Sequence, residues 1–152
     1  MESCHQRIKM CEILEVTVKD LSKINELENQ LNLNITKLNF FNKILLNTNF
    51  KFVKLILNEQ IIGLLQFSWN KSECDIISIG IIEKFHKLNY GKKLVEYLKS
   101  FNFKNIYVEV SLNDKNAIMF YQRLNFLKIG LRKNYYKKQK SDAILLKLEN
   151  VN

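Results

Sequence analysis

Residues Ile76 to Leu98 constrain the chain more than any other stretch. The apolar run Ile76-Ile77-Ser78-Ile79-Gly80-Ile81-Ile82 is short enough for one buried strand and stops at Glu83. A basic segment without strand or helix periodicity follows, and after Gly91 apolar residues recur at Leu94, Val95, Leu98 and Phe101. The pattern predicts a strand, a loop and an amphipathic helix. A helix beginning beside Asn89-Tyr90-Gly91 turns its free backbone N–H groups and positive dipole end into the loop, where His86, Lys87, Lys92 and Lys93 add charge. A phosphate-bearing ligand fits such a loop; the alternative is an ordinary solvated turn. Neither the glycine spacing of a dinucleotide fingerprint nor the Gly-Lys-Ser/Thr of a nucleotide-triphosphate loop is present, which argues against NAD and ATP.

The rest of the chain arranges itself around this unit. Ile8 to Val16 reads as a first strand, and Thr17 as the N-cap of a helix with Leu21, Ile24, Leu27 and Leu31 on one face. A second helical stretch, about Thr36 to Leu46, completes a helix pair whose connection, Asn32 to Ile35, is a candidate cleft wall. Phe50 to Leu57 and Ile61 to Trp69 are strand-forming runs on either side of Asn58-Glu59-Gln60, a hairpin pattern that makes the middle of the chain an antiparallel meander. Ile106-Tyr107-Val108-Glu109-Val110 is strongly strand-forming and follows the helix at the spacing of a crossover, so strands 74–82 and 105–111 should be parallel. Asn113 or Asp114 then caps a helix with Ala117, Ile118, Tyr121 and Leu124 on one face, ended by Asn125 in a left-handed conformation. Phe126 to Tyr135 and Asp142 to Leu148 read as two closing strands. The expectation is one α/β (α+β) domain over residues 1–152, with a mixed, mostly antiparallel sheet, one parallel pair and a disordered start over 1–7.

Totals exclude more than they select. At 152 residues the chain has the length of a single domain with a real core. No apolar run approaches the roughly 20 residues needed to span a bilayer, and Met1 to Lys9 lacks a signal-peptide core, so a cytoplasmic protein is expected. Cys4, Cys11 and Cys74 form no Cys-x-x-Cys pair, and the only histidines are His5 and His86, which argues against a disulfide scaffold or a metal site. The net charge of +9 suits an anionic partner, but general enrichment in lysine explains it equally well.

Glu109 breaks its local pattern. A carboxylate inside Ile-Tyr-Val-Glu-Val is costly to bury unless it is paired or opens onto a cleft, so it is either a solvated or lysine-paired residue or a general base. Tyr121, one helix later, is either a core tyrosine with a bonded hydroxyl or a phenolic proton donor facing the same cleft.

The strand, basic loop and Gly-led helix, the Glu-Val strand, Asn-Ala-Ile-Met-Phe-Tyr-Gln-Arg-Leu-Asn-Phe, Arg-Lys-Asn-Tyr-Tyr and a closing Asp-Ala-Ile-Leu-Leu together resemble the GCN5-related N-acetyltransferase superfamily. Within it the likeness is to bacterial ribosomal-protein alanine N-acetyltransferases, and it runs from about Phe50 to Leu148. The resemblance implies the acyl-CoA N-acyltransferase fold, with helices on both faces of the sheet, and acetyl-CoA as co-substrate. The family's loop pattern Arg/Gln-x-x-Gly-x-Gly/Ala aligns with His86-Lys87-Leu88-Asn89-Tyr90-Gly91; asparagine replaces the first glycine and tolerates the positive φ that glycine supplies. By the same resemblance Lys87, Leu88, Asn89, Tyr90, Gly91 and Lys92 hold the cofactor's phosphates, and Asp114, at the position of a motif asparagine, is a further cofactor contact. Ile79, Gly80 and Ile81 offer backbone groups to the pantetheine arm as to an added strand. Glu109 corresponds to the proton acceptor, Tyr121 to the proton donor, and Tyr135 or Tyr136 to a contact with the acceptor.

These roles suit the residue types. A protein α-amine, with a pKa near 8, must lose a proton before it attacks a thioester, and the departing thiolate must gain one. No covalent enzyme intermediate is needed, and Cys74 reads as a small apolar packing residue. The sequence therefore implies an N-terminal protein acetyltransferase, with an alanine-starting ribosomal-protein N-terminus as acceptor and no membrane or specific nucleic acid as partner. Two alternatives stay open: an acetyltransferase for lysine or small amines, and a non-catalytic basic module that binds nucleic acid or a protein.

Overall fold

The computed structural model describes residues 10–31, 49–136 and 141–150, with the backbone alone over 134–136. The expected helix at 36–46, the wall at 32–35, Cys4, His5 and the side chains of Tyr135 and Tyr136 lie outside the described residues. Strands β1 (Cys11–Glu15), β2 (Phe50–Leu57), β3 (Gln60–Asn70), β4 (Glu73–Ile81), β5 (Asn105–Ser111), β6 (Leu127–Tyr136) and β7 (Ser141–Glu149) form one sheet in the order β1-β2-β3-β4-β5-β7-β6. Every neighbouring pair is antiparallel except β4 and β5. The sheet is thus mixed and mostly antiparallel, as expected.

Local chemistry sets the connections. Asn58 and Glu59 close the β2–β3 hairpin with φ of 47° and 67°, the paired left-handed geometry that matches strand twist in two-residue turns. Helix α1 (Leu21–Leu31) follows a short 3-10 turn, Val18–Asp20. The Asp20 carboxylate accepts the Thr17 amide at 2.8 Å and a Lys54 ammonium at 2.7 Å, tying the start of this helix to β2. Burial alone would raise the pKa of Asp20, but Lys54 and the Thr17 amide outweigh it and hold the carboxyl below its usual range. Helix α2 (Tyr90–Lys99) carries the crossover, and α3 (Lys115–Arg123) is capped by Asp114, whose Oδ1 accepts the Ala117 amide at 3.0 Å. Asn125, at φ 69°, ends α3 in the expected left-handed conformation.

The alternation of strand residues sorts the molecule into two faces. On one, Leu94, Val95 and Leu98 of α2 and Tyr121 of α3 join Val53, Leu55, Phe67, Ile76, Val108 and Leu146 in the main core. On the other, Ile24 and Leu27 of α1 pack on Val16, Phe52 and Leu64. Helices therefore lie on both faces. Phe67 is the hub of the main core: it has no exposed surface, and its ring lies within 5.6–6.4 Å of Trp69, Tyr97, Phe101 and Phe103, centroid to centroid. Phe67→Ala is expected to destabilise the fold by about 3–5 kcal/mol, measured by urea unfolding.

Candidate active site

Strands β4 and β5 pair over only four residues, Glu73–Ile76 against Asn105–Val108. Ile77 has no partner on β3 either, where the register slips between Gln66–Ser78 and Phe67–Ile76. A bulge of this kind bends its strand, and beyond it β4 and β5 part. From Ile77 to Ile81 the β5-facing edge of β4 has no strand partner among the described residues. The Ile82 amide donates to Ile62 of β3 at 2.9 Å, so the Ile81 carbonyl, on the other side of the same peptide plane, faces the open edge. By strand alternation the backbone groups of Ile79 and Ile81 face the open edge while those of Gly80 face β3, so two of the three expected residues present the kind of backbone edge that an extended chain can join.

The open strand runs directly into the basic loop. His86 folds back so that its Nε2 lies 2.6 Å from the Ile81 carbonyl; a carbonyl only accepts, so Nε2 carries the proton. Lys87 and Asn89 take φ of 61° and 66°, two left-handed positions in the turn before α2. The positive φ expected at Asn89 is present; the one at Lys87 has no glycine or asparagine to signal it. Lys93 N is the first amide of α2 to bond back, to Asn89 O at 3.1 Å, leaving the Tyr90, Gly91 and Lys92 amides without helical acceptors. The N-cap side chain of Asn89 makes no capping bond. Helix α3 packs against this end: a Cβ on Gly91 would stand 3.0 Å from the Phe120 ring, so a larger residue there requires that ring to shift. Asp114, read as a cofactor contact, spends its carboxylate on the α3 cap.

Glu109 follows directly on Val108, the last β5 residue paired with β4, and so stands at the root of the split. Register places Gln66, Ser68, Ser78, Asp75, Tyr107, Glu109 and Arg132 on the same face as α1. Arg132 reaches across β7 to pair with Glu109 at 3.2 Å. The partner is thus an arginine rather than the lysine considered from sequence. The Glu109 side chain keeps 27% of its surface exposed. Tyr121 lies on the opposite face of β5, 3% exposed, with its ring 5.1 Å from those of Phe120 and Phe126.

Two residues at this site escaped the sequence reading. Asp75 lies beside Glu109: loss of hydration and then the charges of Glu109 and Glu73 raise its pKa above the ordinary 3.8. Gln66 is 2% exposed; its Oε1 accepts the Ser78 hydroxyl at 3.0 Å, while its Nε2 has no partner among the described residues. A buried donor left unpaired costs on the order of 1–3 kcal/mol. Neither is signalled by its own neighbours in sequence: the face of Asp75 follows from the β4–β5 register, and that of Gln66 from the bulged β3–β4 register. Burial and then the neighbouring Asp75 charge push the Cys74 thiol up to about 12, so it stays protonated at neutral pH and is no nucleophile.

The comparisons with known proteins agree with this geometry. The model of the acetyltransferase (GNAT) family matches residues 15–126. N-alpha-acetyltransferase 50 of Danio rerio is 33% identical over 85 residues, 52% of this chain and 51% of that protein. The [ribosomal protein bS18]-alanine N-acetyltransferase of Haemophilus influenzae is 31% identical over 90 residues, 57% of this chain and 61% of the relative. The chain spans about half the length of the curated relatives it matches. In fold it is similar to the ribosomal-protein-S18-alanine N-acetyltransferase of Escherichia coli, with a TM-score of 0.81 and 19% identity over 94% of this chain and 96% of that one.

A raised carboxyl pKa means that charged Asp75 weakens the fold: the penalty is absent below the unfolded value and complete once pH passes the raised one. Asp75→Asn should therefore melt above the parent at neutral pH. Calorimetric scans should show this difference closing as pH falls toward 3.8. In the loop, Asn89→Ala should lose roughly 1 kcal/mol of stability because alanine resists φ of 66°, whereas Asn89→Gly should not, by thermal unfolding.

Proposed function

Because the chain belongs to the GNAT family of acetyltransferases, we propose that it moves the acetyl group of acetyl-CoA to the α-amine of a protein N-terminus, and that its acceptor is the alanine-starting N-terminus of a small-subunit ribosomal protein. One observation supports this above others: an unpaired strand edge, Ile77–Ile81, leads straight into a helix start with free amides, beside a carboxylate at the point where the sheet divides. Acetyl-CoA supplies an activated acyl carbon and a thiol leaving group. The backbone of Ile79 to Ile81 aligns its extended arm, and the amides of Tyr90 to Lys92, with Lys87 and Lys92, hold its phosphates. Small relatives named for α-amine acetylation support the acceptor class, and the net charge of +9 suits approach to an anionic ribosomal particle. A cytoplasmic site of action goes with that acceptor.

In this reading Glu109, directly or through water, takes the proton of the acceptor ammonium, and Arg132 fixes the orientation of its carboxylate. Tyr121 returns a proton to the departing sulfur. An acceptor on one face of β5 and a donor on the other serve one reaction when the reacting carbon lies in the split between them.

The test is to incubate the chain with acetyl-CoA and peptides beginning with Ala, Ser, Met or Gly, beside an internal-lysine peptide, and follow product by mass. Acetylation of the α-amine, strongest on the Ala peptide, is expected; transfer to lysine alone would refute the assignment. Glu109→Gln and Tyr121→Phe should each slow turnover by on the order of 10²-fold or more. Acetyl-CoA affinity in both, measured by calorimetry, should stay within about twofold of the parent if the lost group acts in proton transfer.

A further inference from the structure

We infer that the side-chain amide of Gln66 forms the carbonyl-binding half of the acceptor site, and so selects an amine with a carbonyl on the adjoining carbon, the N-terminal residue of a polypeptide. The inference rests on the acetyl-transfer reading above and names what that reading leaves open, the feature that separates an α-amine from any other amine.

Gln66 sits midway along β3 with 2% of its surface exposed. One end of its amide is fixed, since Ser78 Oγ donates to Oε1 at 3.0 Å; the other, Nε2, is buried with no acceptor among the described residues. A glutamine retained for packing would have both ends satisfied or be replaced by an apolar side chain of its size. A half-satisfied amide is explained by an acceptor atom that arrives with the substrate.

Its neighbours say what that atom belongs to. Gln66 stands opposite Ser78, and Asp75 stands opposite Ser68 on the same face, so Gln66 and Asp75 are diagonal neighbours across the β3–β4 bulge. Asp75 adjoins Glu109. One patch therefore offers carboxylates, which take an ammonium, and an N–H donor, which takes a carbonyl oxygen. The unit N–Cα–C=O can make a hydrogen bond at each end with two such neighbouring groups. A lysine side chain presents its ammonium at the end of a hydrocarbon stem and has nothing to give to Nε2. Because Nε2 has no contact with solvent in the unliganded chain, the carbonyl reaches it only when neighbouring side chains move aside.

The experiment titrates the CoA-loaded full chain, by calorimetry, with an Ala-starting peptide and with its (E)-alkene isostere lacking the first carbonyl. The parent should bind the peptide about tenfold more tightly than the isostere, the worth of one neutral hydrogen bond. Gln66→Leu should bind the two alike while its thermal midpoint stays at or above the parent's, and Gln66→Met repeats the measurement should leucine disturb packing. A preference that persists in the variants, one absent from the parent, or a parent that binds neither ligand overturns the proposal. Binding with the expected preference but without acetyl transfer would refute the assigned reaction and leave the role of Gln66 standing.

Discussion

The parting of β4 from β5 after four residue pairs is the constraint on which the rest depends. A parallel pair joined by a helix would ordinarily stay bonded along its length, which would bury Ile79 to Ile81 inside the sheet. The unpaired Ile77 ends that continuity: β4 stays on β3 through Gly63–Ile81, while β5 leaves with β7 through Ser111–Ala143. Each strand thus keeps one partner and loses the other, so the sheet opens without either strand losing its hold on the core. The crossover helix must then begin at the open end of β4, which places free amides and lysines at the mouth of the gap.

The loop between β4 and α2 shows how a glycine-poor chain makes the turns that such a site needs. With only four glycines in the sequence, none at positive φ, the left-handed positions among the described residues fall to Asn58, Asn89, Asn102 and Asn125 and to Glu59, Lys71 and Lys87. Asparagine accepts that conformation at modest cost because its short polar side chain bonds locally. Lysine and glutamate do not share this property, so their turns are held by the elements on either side. Gly91 serves a different purpose: the Phe120 ring of α3 lies 3.0 Å from where its Cβ would stand, so a side chain there fits only if the ring shifts.

Much of this was legible in the sequence because it is local. The alternation of β2 and β3, the helical period of Leu94, Val95 and Leu98, the Asp114 cap and the left-handed Asn125 each depend on residues within a few positions of one another. The crossover rule then supplied the parallel pair. What was not legible comes from contacts between distant segments. Arg132 meets Glu109 because β7, last in the chain, inserts between β5 and β6 and carries β6 to the sheet edge. Asp75 and Gln66 are polar residues in apolar strands, and their importance follows from which face they share rather than from their own neighbours. The Lys87 turn had no sequence signal.

The two faces of the sheet divide the chemistry as they divide the packing. Tyr121 is held by the main core, where aromatic edges fix its ring, and Glu109 by an ion pair in the partly open groove on the α1 side. In a continuous sheet these surroundings would never meet, since β5 itself would separate them. Where β4 and β5 part, Glu109 stands at the start of the gap, while Tyr121 stays in the main core with 3% of its surface exposed. A carboxylate paired in a partly exposed setting and a phenol fixed by aromatic neighbours thus keep different environments, and only the parted strands give the two faces a common edge.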